Sequence, residues 1–281
     1  KGVLDAVVSW DPQTNDFSEI KWRTTFLPED ILNFNLQPSF FTVNGVQWEI
    51  ANQSDILLST SELNVSNFEL HRGYQLVKIN GCLSDNERDQ LRFDVLGLDL
   101  NELSNLLDFP NQLSGRFSGW GVLSTPNNNV SILADANLEQ FQIDGQMVGD
   151  VMLHSDWSDA SKRILLEGTL QYRNERTFDF DGLYNIRTDE LDLGLNFKQT
   201  DISFANAFMD PEVIKGIKGK LNGRLRLKGS PSDPKLSGKL KLQNGGAEIA
   251  LLGVSYQLEG PIQVTEDAFF LDNFPIKDPE G

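Results

Sequence analysis

The sequence predicts an all-β protein made of antiparallel strands, and three observations carry that expectation. Apolar residues recur with a period of two along most of the chain. Gly-containing turn signals divide these runs at short intervals. Helical spacing is confined to a few short stretches.

The elements follow in chain order. Ile20, Trp22, Thr24 and Phe26 alternate with Lys21, Arg23 and Thr25, as in a strand with one apolar and one wet face. A short helix is expected to start at Pro28-Glu29-Asp30. Phe41 and Val43 precede Asn44-Gly45, and Val46, Trp48 and Ile50 follow it, which reads as a hairpin closed by a two-residue turn. Further turns are expected at Asn80-Gly81, Asp144-Gly145, Asp181-Gly182 and Asn244-Gly245. Asp99 can cap a helix carrying Leu100, Leu103, Leu106 and Leu107, and Asp201 another carrying Phe204, Ala205 and Phe208. Leu191, Leu193, Leu195 and Phe197 alternate with polar or Gly positions, as do Leu221, Leu225 and Leu227.

Two stretches repeat at an offset of 104 residues: Gly115, Phe117, Gly119 and Leu123 fall on Gly219, Leu221, Gly223 and Leu227. Ile132, Ala134, Ala136 and Leu138 then fall on Leu236, Gly238, Leu240 and Leu242. The repeat suggests three segments: a divergent unit over 1–97, a first copy over 98–200 and a second, incomplete at its end, over 201–281. The glycines share the apolar phase of their strands, where they permit tight bending. Periodicity alone leaves two arrangements open, a closed sandwich narrow at the glycines and a sheet bent into a trough.

The stretch from Gly219 to Leu242, GKLNGRLRLKGSPSDPKLSGKLKL, resembles a recurring signature of the TamB family within the AsmA-like group. Leu252-Gly253, Tyr256 and Gly260 look like that family's next strand pair, and Phe274 to Gly281 like the opening of another unit. The resemblance covers about 98–281 well and 1–97 more weakly. It implies an open apolar groove, a β-taco, in an inner-membrane-anchored periplasmic protein of diderm bacteria. It also implies an Omp85-type, TamA-like outer-membrane partner, and roles in phospholipid transport and outer-membrane protein assembly. The anchor and the partner-binding end would lie outside this segment. The lining expected to meet phospholipid acyl chains is Phe117, Leu123, Ile132, Leu138, Ile164, Leu166, Leu170, Leu191, Leu193, Leu195, Phe197, Leu221, Leu225, Leu227, Leu236, Leu240 and Leu242.

Charge and composition set the exclusions. With 24 basic and 41 acidic residues the net charge is −17, which argues against a nucleic-acid binder and against adsorption to an anionic membrane. Lys1 opens the chain and no signal-peptide apolar run follows, so it reads as an excised or mature segment. A single cysteine, Cys82, excludes an internal disulfide. His71 and His154 have no metal-ligand spacing, and neither Ser84–Asp89 nor Asp156–Asp159 matches a calcium loop. No nucleophile elbow, zincin or phosphate-loop motif occurs, so neither an enzyme nor a cofactor is expected. The strongest rival is a carbohydrate-binding or adhesin-like sandwich. It rests on five tryptophans, with Trp120 in the outward phase of its strand, where its ring could stack on a sugar. A glycoside hydrolase or lyase with a carboxylate-lined cleft is a more distant third.

Overall fold

The computed structural model describes all residues except 1, 11–16, 44, 103–111, 126–129, 159–161, 173–174, 267, 272–275 and 278–281. The chain is all-β, and the twenty strands among the described residues belong to one antiparallel sheet. It forms two compact units, Lys1–Asp99 with Phe117–Ala136, and Leu100–Arg116 with Asn137–Gly281. Compactness and repetition are separate properties, and the 104-residue repeat remains a feature of the sequence.

The first unit begins with β1 (Gly2–Trp10), β2 (Ser18–Phe26), β3 (Leu32–Leu36), β4 (Ser39–Val43), β5 (Val46–Ile50) and β6 (Ser54–Leu58). The strands β7 (Leu63–Arg72), β8 (Gln75–Leu83) and β9 (Leu91–Asp99) follow. The last of these pairs with β10 (Leu113–Ser124), which leads to β11 (Ser131–Ile143). Between β2 and β7 the short strands act as two long strands, each broken once. β3 and β4 both pair with β2, and β5 and β6 both pair with β7. The first break falls at Gln37-Pro38, where proline removes a ladder donor. Hydroxyls repair it: Ser39 Oγ accepts from the Lys21 N–H at 2.9 Å, and Ser18 Oγ accepts from the Thr42 N–H at 2.8 Å. The expected hairpin is present, with Val43 paired to Val46.

Residues 28–30 are not helical. Glu29 and Asp30 both have positive φ (62° and 55°), and the Leu27 N–H donates to Ile31 O at 2.8 Å, closing a tight link between β2 and β3. Only 100–102 of the helix expected after Asp99 are described, and they are helical; the rest of that stretch lies outside the described residues. The second expected helix is a 3₁₀ helix, Ile202–Phe208. Asp201 caps it, accepting from the Ser203 N–H at 2.9 Å. The side chains of Phe204 and Phe208 are outside the described set.

The second unit is a meander of β12 (Gln146–Ser158), β13 (Arg163–Tyr172), β14 (Glu175–Asn185), β15 (Glu190–Asp201), β16 (Ile214–Ser230), β17 (Asp233–Ile249) and β18 (Val254–Val264). Two short strands, β19 (Phe269–Leu271) and β20 (Ile276–Lys277), pair with β18. Each strand from β12 to β18 is antiparallel to the next. Asp144-Gly145 is a turn, as expected, between β11 and β12. The other three dipeptides are not: Asn80-Gly81, Asp181-Gly182 and Asn244-Gly245 lie inside β8, β14 and β17. There a neighbouring carbonyl oxygen (Gln90 just before β9, Asp192 in β15 and Leu258 in β18 respectively) presses where a Cβ would stand. Glycine serves close strand approach at these points instead of chain reversal.

Candidate functional site

Cross-strand register sorts the second unit into two faces. One row of the apolar face runs Leu170, Phe178, Phe197, Gly223, Leu240 and Ile262. The next runs Gly168, Phe180, Leu195, Leu225, Gly238 and Val264. A third runs Leu166, Gly182, Leu193, Leu227 and Leu236. Glycines thus stand beside large side chains within each row. Gly223 and Gly238 have φ of 136° and 145°, a region that side-chain-bearing residues rarely occupy. A Cβ at either would collide with a carbonyl of the next strand, Lys239 O or Arg224 O. Leu240 Cδ2 leans over Gly223, and Leu225 Cδ2 over Gly238, each about 3 Å from where that Cβ would be (3.2 and 3.1 Å). The glycines therefore let adjacent strands close up under the leucines.

Of the expected lining residues, Ile164, Leu170, Phe197, Leu221, Leu225, Leu240 and Leu242 are buried. Phe197, Leu221, Leu225, Leu240, Leu242 and Val264 form one cluster. The other expected residues are half-buried: Leu138, Leu166, Leu191, Leu193, Leu195, Leu227 and Leu236 in the second unit. Phe117, Leu123 and Ile132 are half-buried in the first unit. Several residues of the same face escape the sequence reading: Phe178, Phe180, Leu258, Ile262 and Val264. In β18 the signal is plain, because Tyr256, Leu258, Gly260, Ile262 and Val264 alternate with polar residues and proline. In β14 Leu183, on the other face, interrupts the alternation.

The opposite face is mainly polar, with Leu165 and Leu183 among its residues. Arg226 makes a bidentate pair with Asp192 at 2.6 and 2.5 Å, holding that carboxyl below the ordinary aspartate range. A depression of about 810 Å³ lies there, lined among others by Glu167, Asp181, Asp192, Arg224 and Arg226, with the Arg224 guanidinium lying over Gly194. Four of its charges are paired, Arg224 with Asp181 at 3.6 Å and Arg226 with Asp192.

The remaining candidates stand apart from this site. Arg92 sits 5.1 Å over the Trp120 ring while pairing with Asp94, so it covers the aromatic face that a stacked sugar would need. Burial, reinforced by Glu62 and Asp89, pushes the Cys82 thiol up to about 12, the opposite of an activated nucleophile. The Ser84–Asp89 loop is closed by its own groups, Ser84 Oγ donating to Asp89 at 2.6 Å. Asp159 lies outside the described residues. Among the described residues no group of three or more His, Cys, Asp or Glu side chains converges to hold a metal ion. No described helix is long and apolar enough to cross a membrane. No protein-family model matches the chain, and no curated protein or solved structure matches it either.

Proposed function

We propose that the apolar face of the second unit is an open groove that accommodates lipid acyl chains without selecting among them. The observation that carries this reading is the graded burial of that face. Leucines covering glycines are buried and form the wall, whereas Leu195, Leu236, Leu258 and Ile262 beside them keep accessible apolar surface. Burying a 16-carbon chain along such a face is favourable by roughly 10 kcal/mol before ordering costs.

In this reading the segment is a passive, non-enzymatic part of a periplasmic bridge, similar to proteins of the TamB family and built from repeated groove units. Phospholipid moves toward the outer membrane along it, and outer-membrane protein assembly depends on it through an Omp85-type partner. The support for that wider role is the Gly-Leu signature from Gly219 to Leu242, whose glycines occupy the close-approach positions a curled sheet needs.

The test is lipid extraction and mass spectrometry on the purified chain, combined with a photo-crosslinking residue at Leu236 or Ile262. Copurifying phospholipid, crosslinked at both positions and at neither of the polar-face positions Ser237 and Gln263, is the expected result. A chain free of lipid, or equal crosslinking from both faces, removes the proposal.

A further inference from the structure

The net charge of −17 hides a segregated cationic ribbon. Residues 214–249, the β16–β17 hairpin, contain nine Lys or Arg against two acidic residues, a local charge of +7; −17 less +7 leaves −24 on the other 245 residues. Register places most of these cations on one face. The polar-face pairs are Lys220 with Gln243, Asn222 with Lys241, Arg224 with Lys239, Arg226 with Ser237 and Lys228 with Lys235. Two of these pairs set like charges directly opposite each other, an arrangement that destabilises a sheet. The ribbon extends about 26 Å along the strands.

Neighbouring acids neutralise only part of it. Arg226 is held by Asp192, Arg224 by Asp181 at 3.6 Å, Lys220 lies 3.9 Å from Asp201, and Lys235 pairs with Glu266 at 3.3 Å. Among the described residues no ion pair holds Lys239 or Lys241, both exposed, and their partners on β18 are Gln263 and Pro261. A fold that tolerates unpaired, mutually repelling lysines in an acidic chain has a use for them outside itself.

We propose that the polar face of the β16–β17 hairpin docks on the phosphate headgroups of an anionic bilayer. The residue types select this partner over a protein. The ribbon's polar face carries no aromatic side chain, five of its seven cations are lysine, which protein interfaces disfavour, and both of its arginines are committed to aspartates. Lysines on long flexible stems act as mobile point charges and suit a diffuse phosphate surface. Screening confines each field to about 8 Å at physiological salt, so the acidic remainder does not cancel the ribbon at contact. The inference uses the face opposite the acyl-chain groove and stands whether or not that groove holds lipid.

The experiment is cosedimentation of the full chain with vesicles of phosphatidylcholine containing about 30% phosphatidylglycerol, and with pure phosphatidylcholine vesicles. It is run at about 25 mM and about 500 mM NaCl. The expected result is partition into anionic vesicles alone, lost at high salt. Each lysine near an anionic surface contributes about a fivefold factor, so Lys228→Gln, Lys239→Gln and Lys241→Gln combined should lower the partition coefficient about a hundredfold. Lys21→Gln with Lys78→Gln, which remove charge from the first unit, should leave it within about twofold. Absence of binding at low salt, equal binding to neutral vesicles, or equal loss in both variants overturns the proposal. Salt-sensitive self-association without vesicles, abolished by the triple variant, would assign the ribbon to a second copy of the chain and overturn it equally.

Discussion

The region from β2 to β7 in the first unit and the region from β15 to β18 in the second satisfy the same requirement with different chemistry. Both contain places where a regular ladder cannot continue. In the first, strands stop at Pro38 and again after Ile50, and the freed backbone groups are taken by buried hydroxyls. Ser18 and Ser54 are fully buried and Thr24, Ser39 and Thr42 nearly so; the Ser54 hydroxyl donates to Asn67 O at 2.9 Å. In the second, strands of up to 17 residues continue through register shifts such as Phe197/Thr200 and Leu242/Gly245, and glycine absorbs much of the close approach. Hydroxyl contacts dominate the first region; in the second the fully buried Thr200 hydroxyl, opposite Leu221, donates to Thr177 O beside the Phe197/Thr200 register shift, so the two regions differ in the balance of the two devices. The rows through Gly223 and Gly238 carry no hydroxyl, and the proposed acyl-chain role would require this of them, because a buried hydroxyl facing hydrocarbon would lose its partner at a cost.

The sharpest way to break this comparison is to put a side chain on a glycine. Gly223→Val places a branched Cβ against the Lys239 carbonyl at a φ that valine does not adopt, and the expected loss is about 4 kcal/mol or more. Hydrogen exchange is the suitable measurement, since two compact units need not unfold together. Protection should collapse from β15 to β18 and persist from β2 to β9. Retained protection on β16 and β17 would mean that the glycines are incidental.

Next in size come two substitutions, one for each device. Leu240→Ala removes a buried side chain from the Phe197 cluster and should cost about 2–4 kcal/mol, spread over β15 to β18. Ser18→Ala leaves the Thr42 N–H without its acceptor and should cost about 1–3 kcal/mol. Its effect should be local, with the Thr42 amide exchanging faster while the Lys21 amide, which donates to Ser39, and more distant strands are unchanged. If both variants loosened the whole chain alike, the two regions would not be distinct in their repair.

These devices differ in how visible they are in a sequence. Alternation alone locates most strands, since Leu236, Leu240 and Leu242 announce their face without help. An Asx-Gly pair is ambiguous: it turns the chain at Asp144-Gly145 but admits a neighbouring strand at Asp181-Gly182, and only the partner decides which. Pro28-Glu29-Asp30 looks like a helix start, yet it adopts left-handed conformations because the two flanking strands must pair at once. Hydroxyl repair is least visible, because Ser18 and Ser54 look like surface residues until their partners from other strands arrive. The candidate site was legible where leucine repeats and illegible where Phe178 and Phe180 share a strand with Leu183, which faces the other way. The cationic ribbon was present in the sequence as a local charge excess, hidden by averaging over the chain.

The smallest expected effect concerns the polar face of the second unit. Asp192 is held below its ordinary range chiefly by the hydrogen bonds from Arg226 and then by that residue's charge. A carboxylate whose folded value is lowered contributes stability that is fully present above its unfolded value, about 4, and is lost as pH falls through the lower folded value. The pair is partly exposed, with 31% of the Asp192 side chain and 59% of the Arg226 side chain accessible, so the contribution should be at most about 1 kcal/mol. Asp192→Asn should therefore lower stability slightly at neutral pH and converge with the parent as pH falls through that lowered folded value. Denaturant titrations of both proteins from neutral to acid pH read the difference directly. A gap that persisted unchanged at acid pH would mean Asp192 acts through packing, and the polar face would be as structurally committed as the apolar one. A gap that closes leaves the outer face of β15 and β16 electrostatically adjustable while the glycine-leucine face beneath it stays fixed by sterics.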